Sequence, residues 1–118
     1  MGPKNGIGEL IQGLFNDFVD GVLYAGEVTA KRFRLRKVEN GFSGNVHFNK
    51  FPVKIVFETS SLFEEKPASI VLKVDQRNSK EKYEVVLFAV EVKKESAVFI
   101  GDSTLFGSLK VELFLWST

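Results

Sequence analysis

The chain has 118 residues, with 16 Lys plus Arg against 15 Asp plus Glu, one His, no Cys and 12 Phe, and 44% of it is hydrophobic. That length fits one domain, 1–118, and the apolar content is that of a chain that folds alone rather than a disordered one. The missing Cys excludes a disulfide framework, zinc fingers and thiol catalysis, the single His excludes a His-rich metal centre, and a net charge of +1 gives no global pull toward nucleic acid or membrane.

Apolar residues at Ile7, Leu10, Ile11, Leu14, Phe15, Phe18, Val19 and Val22 follow the i, i+3, i+4, i+7 spacing and predict one helix over 7–21. Asn5 or Gly6 suits its N-cap, and Gly21 its left-handed stop. Glu9, Asp17 and Asp20 interrupt this stretch, so it is not a secretory signal. No apolar run reaches the roughly 20 residues of a membrane-spanning helix. The expectation is a cytoplasmic protein.

After Gly26 the period becomes two, predicting strands over 27–39, 42–50, 53–59, 69–75, 82–92, 97–101 and 108–116. Asn40-Gly41 signals a two-residue type I′ turn. With those two residues as the turn, Glu39 faces Phe42, Phe33 meets Phe48 and Leu35 meets Val46 on one face. Arg32, Arg34 and Arg36 then lie on the other face beside Asn49, His47 and Asn45, and a one-residue slip would undo the sorting. A second hairpin pairs Lys73 with Glu84, Leu72 with Val85, Val74 with Tyr83 and Ile70 with Leu87, matching charge and apolarity together. Pro52, unable to donate to a ladder, predicts a bend or bulge.

The strand from Tyr83 is apolar on both faces, through Val85 and Leu87 on one and Val86, Phe88 and Val90 on the other, so both faces need a cover. The expected fold is therefore α+β: one N-terminal helix packed on a curved antiparallel meander of six or seven strands, helix-grip or barrel-like.

Nothing in the sequence assembles catalytic chemistry, a metal site or a cofactor site. Gly101-Asp102-Ser103 resembles the nucleophile triplet of the Gly-Asp-Ser-Leu hydrolases. Thr104 replaces the Leu, however, and no base is placed near the Ser, so the triplet reads as a turn. The expected function is non-catalytic binding of an apolar or amphiphilic ligand between helix and sheet, contacted by Leu14, Phe18, Phe57, Leu87 and Phe88. One alternative is an anionic partner, nucleic acid included, held by Arg32, Arg34, Arg36 and His47 on the basic strand 31–37. Another is a self-associating, homodimeric interaction protein covering an apolar sheet face with a second copy.

Overall fold

The computed structural model describes residues 17–26, 29–48, 50–60, 67–76, 83–93 and 95–114. These form strands β1 (Phe18–Ala25), β2 (Thr29–Val38), β3 (Gly41–Phe48), β4 (Phe51–Glu58), β5 (Ser69–Val74), β6 (Tyr83–Val92), β7 (Ser96–Ser103) and β8 (Gly107–Phe114). Each strand runs antiparallel to the next, and β1 also pairs with β8, closing an eight-stranded barrel. Among the described residues the fold is all-β, which overturns the expected α+β architecture and its six or seven strands.

Where a helix was expected to end, Phe18–Ala25 is a strand. Phe18, Val19 and Val22 satisfy the helical period, but Val19, Gly21, Leu23 and Ala25 satisfy a period of two equally well. Pairing on both sides, with β2 and with β8, decides between them, and β-branched and aromatic residues suit that placement. Gly21 faces Phe33, and a Cβ there would come within 2.5 Å of the Phe33 ring. The remaining residues of the expected helix, 7–16, lie outside the described residues.

The first hairpin keeps its faces and changes its register. Val38 lies opposite Gly41, Lys37 opposite Phe42 and Arg36 opposite Ser43, where Glu39 had been expected to meet Phe42 and Arg36 to meet Asn45. The corner is thus Glu39-Asn40, and neither residue has a positive φ, so the turn is not type I′. Gly41 is needed for another reason. Its φ is 156°, it pairs with Glu58, and an added Cβ would strike the Phe57 carbonyl oxygen. A slide of two residues leaves every side chain on its own face. Phe33 and Leu35 are accordingly buried while Arg32, Arg34 and Arg36 are exposed.

The second hairpin has the expected pairs, from Ile70 opposite Leu87 to Val74 opposite Tyr83. Pro52 sits in the regular β3–β4 ladder opposite His47, and its carbonyl accepts the Asp75 N–H at 2.9 Å, so no bulge forms there. The β-bulge is instead between Ala89 and Glu91 of β6, against β7.

Inward-facing side chains from all eight strands line the lumen, and no buried polar or charged residue occurs among those described. Phe57 of β4 and Phe99 of β7 meet edge to face across it, ring centres 5.9 Å apart. Phe106, in the β7–β8 turn, lies against Phe48 and Phe51 at 5.1 and 5.9 Å and closes one end. Hydrogen bonds fix that turn. The Tyr83 hydroxyl accepts the N–H groups of Thr104 and Leu105 at 2.7 and 3.2 Å. Ser103 Oγ accepts the Phe106 N–H at 2.8 Å and donates to the Gly107 carbonyl at 3.1 Å. Burial pushes the Tyr83 pKa up, but the bonds its oxygen accepts outweigh this and leave it lowered.

Two contrasts follow. Phe99→Ala, which empties lumen space, should cost about 3–5 kcal/mol in chemical denaturation, and Phe88→Ala on the outer face well under about 1 kcal/mol. Equal losses would contradict the assignment of faces. Likewise Gly41→Ala should cost about 2 kcal/mol or more through its backbone clash. Gly26→Ala, strained in φ but with nothing within 4 Å, should cost about 1 kcal/mol.

Candidate functional site

Strand alternation puts Arg32, Arg34 and Arg36 on the barrel's outside, and the ladder carries their row onward. Arg36 lies between Phe18 and Ser43, Ser43 lies opposite Val56, and Val56 lies opposite Val71. One row away, Asn45 lies opposite Lys54, Lys54 opposite Lys73, and Lys73 opposite Glu84. Lys54 and Lys73 thus form a like-charge cross-strand pair, an arrangement that destabilises a sheet. A cleft of about 290 Å³ opens beside them, with Ser43, Lys54, Val56 and Lys73 in its walls together with the carboxylates Glu39 and Glu58. Among the described residues, Arg36, Lys54 and Lys73 take part in no ion pair.

Arg34 differs from these cations. Its Nε donates to Asp20 Oδ1 at 2.6 Å and its Nη2 to Asp20 Oδ2 at 3.2 Å, a two-pronged grip across the β1–β2 ladder. The hydrogen bond from Arg34 holds the Asp20 carboxyl below its ordinary range, and the same bond raises the guanidinium further. Phe18, 37% exposed, lies beneath both neighbouring guanidiniums, 5.1 Å from Arg34 and 5.8 Å from Arg36.

The expected apolar site is not a single place. Phe57 and Leu87 point into the lumen, Phe18 and Phe88 face outward, and Leu14 lies outside the described residues. No helix–sheet gap exists among the described residues to bring them together. His47 is exposed on β3 opposite Pro52. Because Arg36 meets Ser43, the partner expected for Arg34 slides from His47 toward Asn45. Ser103 serves the β7–β8 turn through its hydrogen bonds to Phe106 and Gly107.

Sequence reasoning named Phe18 as a ligand contact but placed it on a helix, and it missed the pairing of Lys54 with Lys73. Each Lys alternates with apolar neighbours, as in Val53-Lys54-Ile55 and Leu72-Lys73-Val74, so its outward direction was readable. Their adjacency was not, because it depends on β4 pairing with β5 across the segment 59–68.

A second cleft, of about 320 Å³, has Gly26, Ile100, Asp102 and Lys110 in its walls and, like the first with its two Lys and two Glu, holds both signs of charge. Val86, Phe88, Val90 and Ile100 form an exposed apolar area on the outside of β6 and β7. Among the described residues no group of three or more His, Asp or Glu is placed to hold a metal, and no helix is long and apolar enough to cross a membrane.

Because Asp20's pKa is depressed in the fold, its pairing stabilises the protein fully above the carboxyl's ordinary value of 3.8. That contribution is lost as pH falls through the lowered folded value. In an NMR titration the Asp20 carboxyl should therefore have a midpoint below 3.8, and Arg34→Ala should move it up toward that value. An unmoved midpoint in the variant would contradict the pairing.

Comparison of the chain with protein-family models, with curated proteins and with solved structures finds no match in any of the three, so a functional reading rests on the chemistry of these surfaces.

Proposed function

We propose that the protein is a non-catalytic binding protein whose outer face on β2 to β5 takes an anionic partner. The alignment of Lys54 with Lys73 beside the cleft carries this reading. Glu84 lies opposite Lys73 on its other side, but the neighbour relation of Lys54 with Lys73 itself adds no stability, and a bound anion would relieve the repulsion there. Arg36 adds a planar donor one row away. Basic residues on a sheet otherwise protect exposed edges from aggregation, but a closed barrel has no edge to protect. The partner's charge sets the behaviour to expect: counterions released on binding make affinity fall steeply with salt.

The barrel also supports a second reading, that it encloses a small apolar molecule. Eight strands make an interior wide enough either to be filled by side chains or to hold one small ligand, and the inner face here is wholly apolar among the described residues. The contact of Phe57 with Phe99 means that such a molecule would have to displace rings. Native mass spectrometry of the purified protein checks this reading: a co-purified hydrophobic mass supports it, and a bare chain mass counts against it.

Heparin serves as a polyanion probe for the first reading. Binding at about 50 mM salt should weaken by orders of magnitude near 200 mM, and Lys54→Ala with Lys73→Ala should shallow the log–log salt slope by about 1–2. A wild-type protein that ignores heparin at low salt would overturn the proposal.

A further inference from the structure

We infer that the anionic partner is a single-stranded nucleic acid whose bases stack at Phe18 while its phosphates follow Arg36, Lys54 and Lys73. This rests on the basic-face reading and adds a stacking platform to it. Phosphate-tracking grooves that accept single strands combine cations with exposed rings on which bases stack, because every base has a π-face. Phe18 supplies that ring at the β1 edge of the basic rows. It is 37% exposed, and the guanidiniums of Arg34 and Arg36 lie over it at 5.1 and 5.8 Å. A guanidinium plane is itself a surface for a base, so ring and cations form one composite platform.

The geometry orders these parts. Phe18 and Arg36 are direct ladder partners, and Ser43 and Val56 continue their row on β3 and β4. Lys54 and Lys73 lie two residues along β4 and β5 from Val56 and Val71. Four strand spacings from β1 to β5 make an arc of about 19 Å. That suits a short run of about four nucleotides, at the lower end of the sites found on small barrels. Asp20 does not oppose the phosphates as a free carboxylate, since Arg34 grips both its oxygens; Glu39 and Glu58 in the cleft wall and Glu84 opposite Lys73 are the carboxylates that the strand must pass. A duplex keeps its bases stacked inside, and an acidic protein has no base to offer; either would leave the ring unused. Each is an outcome the experiment distinguishes.

The test is fluorescence anisotropy with a labelled oligothymidine of about 12 nucleotides, its duplex with oligoadenine, and heparin. Phe18→Leu keeps an apolar side chain beneath the guanidiniums and removes the π-face; Phe18→Trp keeps the face. We expect Phe18→Leu to weaken oligothymidine binding roughly tenfold and to leave heparin binding unchanged. Phe18→Trp should retain both, and the Lys54→Ala, Lys73→Ala double variant should weaken both. The wild type should prefer the single strand to the duplex. Equal losses for heparin and oligothymidine in Phe18→Leu, no loss in either, or a preference for the duplex would overturn the inference. The basic-face reading would survive each of these if the double Lys variant still loses heparin binding. Failure of the wild type to bind any of the three probes would overturn both. Photocrosslinking of the wild-type protein to a 4-thiothymidine oligonucleotide supplies a readout that needs no variant. Crosslinks at Phe18 or its ladder partner Arg36 are expected, and crosslinks confined to β6–β8 would overturn the inference.

Discussion

Pairing of β1 with β8 is the constraint on which the rest of the structure depends. An open sheet has two edges and two faces to protect; closure removes the edges and turns one face into a lumen that water does not reach. Period-two alternation then sorts the eight described strands. Val19, Leu23, Phe33, Leu35, Val53, Ile55, Leu72, Leu87, Phe99 and Val111 go inside, and the charged residues between them go outside. Burial of this apolar surface, at about 25 cal/mol per Å², is the main favourable term. Edge-to-face ring contacts such as Phe57 with Phe99 add directionality to the packing.

Closure also changes the meaning of the exterior. On an open sheet, Arg on a strand is a common guard against edge pairing, and its presence needs no function. On a barrel the same residues have no edge to guard, and they are either solvated, paired with neighbours or open to a partner. Arg34 is explained by Asp20, which takes both prongs of its guanidinium. Lys54 faces Lys73 instead, next to a cleft, and Lys73 has Glu84 on its other side. That difference between a cation gripped by a carboxylate and two adjacent lysines that take part in no ion pair among the described residues separates structural charge from the candidate site.

How much of this was legible in the sequence depended on the range of the interaction involved. The second hairpin was readable to the residue because charge and burial agreed: Lys73 with Glu84, and Leu72 with Val85. In the first, parity was readable and register was not. Asn40-Gly41 matches a type I′ turn, but Gly41 is used for its close approach to the Phe57 carbonyl on β4, a strand ten or more residues away. The helix reading failed where two periods overlap, at Phe18, Val19 and Val22, and where only a distant partner, β8, decides between them. Of the site, the outward Arg residues were readable from alternation. The contact of Phe18 with Arg34 and Arg36 and the Lys54–Lys73 pair were not, since both follow from strand neighbours that no local pattern names.

The account stands on β1 being a strand held between β2 and β8. Solution NMR tests this directly through nuclear Overhauser effects over residues 18–25. Cross-strand contacts between Leu23 and Val111 and between Gly21 and Leu113, with Gly21 also close to Phe33, are the predicted result. Sequential i to i+3 contacts of a helix over 18–25, without contacts to 109–114, would contradict it.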